Sequence, residues 1–71
     1  PNIKVAYWIA NNCDFDQLIL EYYKKDDPAA GWIHCSYNEK GNNRKQILTY
    51  DGKTYDNGLP EMKWKDGKVV E

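Results

Sequence analysis

No stretch of this sequence approaches the ~20 consecutive apolar residues that a membrane-spanning helix requires, and no charged-then-apolar leader of signal-peptide form is visible. A membrane span is therefore not expected. Cysteine is scarce: Cys13 and Cys35 are the only two, too few for the disulfide framework of a small secreted domain. The expectation is two buried free thiols in a reducing compartment, able to pair only if the fold brings them together. Charge of one sign is missing as well. The formal net charge is -1, and the lysines are scattered among carboxylates rather than gathered into a stripe. That excludes the electrostatic footprint of a general polyanion binder, so no nucleic-acid partner is expected. Internal repeats, low-complexity tracts and linkers are absent too. Histidine occurs once, as His34.

What is present is the material of one small globular unit. Hydrophobic residues make up 41% of the chain and aromatics 14%, against a charged fraction of 30%, enough apolar content for a compact core. A domain of 71 residues buries only about 60% of its unfolded surface and leans on a metal, a disulfide or a partner for stability. The first residue is Pro1 rather than methionine, which reads as a fragment, a processed product, or the ordered part of something longer. Self-association, or pairing with a missing N-terminal segment, is the expected behaviour of such a piece, because a small sheet deprived of neighbouring elements exposes edges and an apolar face.

Along the chain, Ile3, Tyr7 and Ala10, widened by Val5, Trp8 and Ile9, predict a short helix stopping near Asn11-Asn12. The segment Phe15 to Tyr23 supports two assignments. As a strand it divides into Phe15, Gln17, Ile19, Glu21 and Tyr23 on one face and Asp16, Leu18, Leu20 and Tyr22 on the other; as a helix it is capped by Asp14 with Phe15, Leu18, Ile19 and Tyr22 as its stripe. Lys24 to Gly31 is a polar, proline-bearing loop. Trp32–Tyr37 and Arg44–Tyr50 read as strands joined into a hairpin by residues 38–43. Asp51-Gly52 and Asp66-Gly67 each sit between short strand-like runs and predict two-residue hairpin turns, since glycine tolerates the positive φ these demand. The fold class expected is α+β: a short N-terminal helix followed by a small antiparallel sheet of hairpins. Residues 1–71 form a single domain or domain fragment, with 14–48 as its central part and 49–71 as a hairpin extension.

The chemistry concentrates in Gly31-Trp32-Ile33-His34-Cys35-Ser36-Tyr37. A lone imidazole at the centre of a strand is either a packed residue or one arm of a metal site. Strand alternation places Trp32, His34 and Ser36 on one side and Ile33 and Cys35 on the other, which disfavours a Cys35–His34 nucleophilic pair. Catalytic zinc sites commonly take three protein ligands and keep the fourth position open.

Three blocks in order, Phe15-Asp16-Gln17-Leu18-Ile19-Leu20-Glu21, then Trp32-Ile33-His34-Cys35-Ser36-Tyr37, then Asn43-Arg44-Lys45-Gln46-Ile47-Leu48, resemble the C-terminal half of the M15 zinc peptidases. The branch concerned is the D-Ala-D-Ala carboxypeptidase-like, phage- and prophage-associated one, whose members read F-D-Q-L-I-x-E, W-[VI]-H-[VI]-S and N-R-[KR]-Q-V-L. The likeness spans about Asp14 to Leu48. It implies a larger zinc peptidase domain that hydrolyses a peptide bond in the stem peptides of peptidoglycan, made in the cytoplasm of a bacterium or phage-infected host and acting on the cell wall. It implies His34 as the last of three zinc ligands, the first two being a His and an Asp in an H-x6-D arrangement that this chain lacks. Zinc is thus the cofactor of the complete protein, with low occupancy expected in this chain alone. Many members carry an acidic residue three positions before the final His, where this chain has Gly31; Asp26 and Asp27 lie in the adjoining loop, and Glu21 is the better candidate for the catalytic carboxylate. Trp32 and Ser36 would line the substrate cleft.

Each of these residues also has a plainer role. His34 and Trp32 can simply pack, Glu21 can pair with Arg44 or Lys45, and Tyr50, Tyr55 and Trp64 can cover a small core or bind sugar rings or peptide. A catalytically inactive relative, acting as a cell-wall-binding or structural module of a virion, is the alternative to the peptidase.

Overall fold

A computed structural model describes residues 1–27 and 30–70; Pro28 and Ala29, within the proline-bearing loop, and Glu71 lie outside the described residues. The chain is α+β, as expected from its pattern. Helix α1 (Asn2–Asn12) is followed by β1 (Gln17–Glu21), β2 (Trp32–Ser36), β3 (Gln46–Tyr50), β4 (Tyr55–Asn57), β5 (Lys63–Lys65) and β6 (Lys68–Val70).

α1 forms because Ile3, Ala6, Tyr7 and Ala10 recur at helical spacing and turn one stripe inward. Val5 and Trp8, which widen the apolar stripe in the sequence, are exposed instead. At the C-terminal end the Asn12 amide donates to the Trp8 carbonyl at 2.8 Å. Cys13 then leaves the helix in an extended conformation (φ -116°, ψ 154°) while its own N–H closes the last turn on Ile9.

The main sheet has the order β2-β1-β3-β4. β1 pairs antiparallel with β2, parallel with β3, and β3 pairs antiparallel with β4. The sheet is therefore mixed, where hairpins alone would have made it antiparallel throughout. β2 and β3, predicted as a hairpin across residues 38–43, do not touch as strands: β1 lies between them. The physical reason is burial. Leu18 and Leu20 are fully buried and Ile19 nearly so, so β1 carries apolar side chains on both faces and takes the central place. That same run of apolar residues is what left its period ambiguous between helix and strand.

The two Asp-Gly turns diverge. Asp66-Gly67 is the two-residue turn expected, joining Lys65 and Lys68 with both central residues at positive φ (51° and 78°). Asp51-Gly52 belongs to a four-residue loop, because Tyr50 pairs with Tyr55. The Asp51 carboxylate accepts the N–H groups of Lys53 and Thr54, each at 2.8 Å, and reinforces the backbone bond from the Asp51 N–H to the Thr54 carbonyl at 3.3 Å.

The segment after β3 completes the core. Leu59 and Val69 are buried against Ala6, Tyr7 and Leu20, with Ile33, Ile47 and Met62 packed around them, and the Tyr7 hydroxyl donates to the Pro60 carbonyl at 2.9 Å. β6 is latched to the helix by one side chain. The Asn11 amide donates to the Val69 carbonyl and its oxygen accepts the Val69 N–H, both at 2.9 Å, so the side chain imitates a neighbouring strand. Asn11→Ala removes both bonds, leaves two part-buried backbone groups to find water, and is expected to destabilise the fold by about 1–3 kcal/mol. Urea unfolding measures that loss, and amide exchange should accelerate first at Val69.

Candidate functional site

Paired residues on neighbouring strands project to the same face, so the register sorts the sheet into two sides. Leu18, Leu20, Ile33, Cys35, Ile47 and Thr49 share the helix side; Gln17, Ile19, Glu21, Trp32, His34, Ser36, Gln46, Leu48, Tyr50, Tyr55 and Asn57 share the open side. The expected alternation of β2 holds: Trp32, His34 and Ser36 lie together on the open face. Cys35 lies on the other, so no Cys–His nucleophilic pair exists.

The open face is organised in rows across the strands. The first is Trp32, Glu21, Tyr50, Tyr55; the second His34, Ile19, Leu48, Asn57; the third Ser36, Gln17, Gln46. In the third row the Gln17 amide donates to the Gln46 side-chain oxygen at 2.9 Å. In the first, the Trp32 indole N–H donates to Glu21 Oε2 at 3.1 Å. Glu21 therefore pairs with Trp32 rather than with Arg44 or Lys45. His34 stands diagonally across from Glu21 on the adjacent strand, a relation that separates residues by about 7–8 Å. Carboxylate and imidazole thus lie on the same face of neighbouring strands.

Tyr22 extends the first row. Its backbone sits at φ 56°, an uncommon conformation for a bulky side chain, and its N–H donates to the Tyr50 carbonyl at 2.8 Å. The ring lies 4.9 Å from that of Trp32 and 5.6 Å, edge-on, from that of Tyr50, which in turn stacks on Tyr55 at 4.3 Å. Partial burial first, then the neighbouring phenols, Asp51 and Glu21, push the Tyr50 hydroxyl above its ordinary pKa. The rings touch in sequence while Tyr22, Trp32 and Tyr55 stay exposed, and the described residues enclose no cavity.

Gly31 explains a departure noted in the sequence. It has φ +78°, and a Cβ there would fall 2.1 Å from the Glu21 carbonyl oxygen and 2.9 Å from the Tyr22 backbone. The position three before His34 has no room for a side chain, acidic or otherwise. Glu21 lies at the same corner of the sheet, its own carbonyl oxygen being the atom such a Cβ would meet.

A second pairing was not singled out from the sequence. The Asp16 carboxylate accepts the Arg44 backbone N–H at 3.1 Å, its Nε at 2.8 Å and its Nη2 at 3.0 Å. These bonds, the side-chain one first, hold Asp16 below the usual carboxylate pKa and raise Arg44. Next to it, Asn43 closes the 38–43 loop: its side chain accepts the Asn38 N–H at 2.8 Å and reaches Asp14 at 3.4 Å. The signal was available, since Asp16 and Asn43-Arg44 are the polar letters of the first and third blocks.

The thiols are less buried than expected: Cys35 is exposed on an edge strand and Cys13 is half-buried, both free. Burial of its sulfur, with Cys13 as the second cause, raises the Cys35 thiol pKa. As to zinc, the donor set does not make a site. Among the described residues no three His, Cys, Asp or Glu side chains converge on a point where a metal ion could sit, and His34 supplies a single imidazole. No helix among the described residues is long and apolar enough to cross a membrane. No family model, curated protein or solved structure matches the chain.

Two outcomes follow from this geometry. Gly31→Ala combines a strained φ with a backbone clash and should cost at least about 2 kcal/mol in a urea titration. Asp16, its pKa lowered in the folded state, contributes stability above the unfolded-state value near pH 4 and loses it as the pH falls through the folded-state value. The urea midpoint of Asp16→Asn should therefore lie below that of the parent at pH 7, with the gap narrowing toward pH 3.

Proposed function

We propose that the chain is the C-terminal portion of a zinc-dependent peptidoglycan peptidase, which hydrolyses a peptide bond of the cell-wall stem peptide. The observation that carries the reading is the placement of the three blocks. The first is β1 and its approach, the second is β2, the third leads into β3, and the three strands are neighbours in one sheet. The polar letters of the first and third blocks bond to each other through Asp16 and Arg44, so the motif reads as one physical unit rather than three coincidences. Glu21 and His34 emerge from that unit on one face, with Trp32 and Ser36 beside them.

In this reading His34 is one ligand of a zinc ion whose remaining ligands come from outside these residues, and Glu21 carries the proton during hydrolysis. The indole N–H of Trp32 fixes one oxygen of Glu21 and orients the carboxylate. The second reading is a catalytically inactive relative that binds wall fragments or serves as a structural module in a virion, for which the aromatic row Trp32, Tyr22, Tyr50 and Tyr55 is the supporting feature.

The test is made on the product of the whole reading frame, purified with zinc in the medium. The peptidase reading expects a His followed seven positions later by an Asp upstream of these residues, about one zinc per chain, and cleavage of purified muropeptides. Glu21→Gln should then lower the turnover about 10²-fold or more with zinc retained, whereas His34→Ala should lose the metal. Full hydrolysis by the Glu21→Gln protein would remove Glu21 from the mechanism; muropeptide binding without zinc or cleavage would establish the inactive relative.

A further inference from the structure

The two thiols lie at the same corner of the fold. At one end, the Asn2 side chain donates to the carbonyls of Ala30 (3.3 Å) and Gly31 (2.7 Å), tying the start of α1 to the start of β2. From that shared origin the 11 residues of α1 advance about 16 Å, and the strand from Gly31 to Cys35 advances about 13 Å. The far ends of the two elements carry Cys13 and Cys35. The return of the chain fixes the position again: three residues after Cys13, the Asp16 N–H donates to the carbonyl of Ser36, the neighbour of Cys35, at 2.8 Å. The side of the sheet also agrees. Cys35 is paired with Leu18 and shares the helix side with Ile33, which packs against the α1 core. Cys13 is itself among the groups that disturb the Cys35 thiol, an influence that requires closeness. Neither residue has a part in the open face.

We infer that Cys13 and Cys35 are a redox-closable pair, forming a reversible disulfide that staples the end of α1 to the edge strand β2. The oxidant is a low-molecular-weight disulfide, represented by oxidised glutathione. One cysteine, as thiolate, attacks a glutathione sulfur; the S–S bond of glutathione breaks, one glutathione leaves as thiolate and takes up a proton, and a mixed disulfide remains on the protein. The second cysteine, as thiolate, then attacks the protein sulfur of that mixed disulfide and expels the other glutathione. Two protein thiols and one glutathione disulfide become one protein disulfide and two glutathione thiols. Cys13 suits the exchange because it stands outside the helix in extended backbone, and Cys35 because it is exposed. The inference is independent of the peptidase reading.

The experiment equilibrates the chain in glutathione buffers of graded ratio, quenches with an alkylating reagent, and reads the intact mass and the linked peptides. The parent chain is expected to lose the mass of two hydrogens, carry no glutathione, and yield a Cys13–Cys35 cross-linked peptide. Closure should occur at a glutathione disulfide concentration at least about tenfold below that which half-modifies Cys13→Ser or Cys35→Ser, each of which should carry one glutathione. Because a serine variant can fail to fold, the parent alone is also unfolded in urea in its reduced and oxidised forms, and the oxidised form should resist to higher urea. Two glutathione adducts on the parent, or disulfide-linked dimers in place of the internal bond, would overturn the inference, as would an oxidised form no more resistant than the reduced.

Discussion

The structure depends on the burial of β1. Five residues, Gln17 to Glu21, are paired on both edges, the middle three of them are buried, and the rest of the main sheet takes its place from theirs. β2 and β3 are positioned by the two ladders of β1, β4 by that of β3, and α1 by Leu20, which joins Ala6 and Tyr7 in the core. A strand with so buried a centre must pair its backbone groups within the sheet. The chain answers with a parallel partner on one side and an antiparallel partner on the other. The Asp16–Arg44 clasp stands where the parallel ladder begins, beside the bonds from Lys45 and Gln46 back to Phe15 and Asp16. A bidentate guanidinium–carboxylate pair holds two backbones in fixed register more firmly than a single bond can.

From that register the open face follows without further contrivance. Glu21, His34, Trp32 and Ser36 come together because they occupy alternate positions on paired strands, not because any loop gathers them. Scaffold-borne groups of this kind are held more narrowly than loop-borne ones. The strained Tyr22 and the side-chain-free Gly31 sit at the same corner, where the chain leaves β1 and enters β2. Non-glycine residues at positive φ persist where surrounding structure forces them; here the force is the Tyr22–Tyr50 backbone bond and the ring contacts on either side.

Much of this was legible in the sequence, and the parts that were not share one cause. α1 was legible because helical spacing is a local signal, as was the Asp66-Gly67 turn, whose two residues carry their own conformational preference. The face shared by Trp32, His34 and Ser36 followed from alternation alone. Pairing was harder. β2 and β3 are adjacent in sequence and joined by a turn-like loop, so they read as a hairpin; only the double-sided burial of Leu18, Ile19 and Leu20 places β1 between them, and burial is a property of the whole fold. The partner of Glu21 was misread for the same reason, since Arg44 is drawn away by Asp16 across 28 positions of chain. Cys35 was expected inside because cysteine favours interiors, yet it rides an edge strand. The Asp51-Gly52 pair shows that a correct turn signal can still mistake the loop length when an aspartate side chain reinforces a wider loop.

The latch between Asn11 and Val69 joins residues 58 positions apart, and the core itself is made from the earliest and latest portions of the described chain, Ala6 and Tyr7 meeting Leu59 and Val69. During synthesis the helix therefore emerges from the ribosome long before its covering does. At ordinary translation speeds of about 5–20 residues per second, Ile3, Tyr7 and Ala10 wait several seconds without their final neighbours. In a chain with this layout the last-made residues decide when the helix acquires its covering.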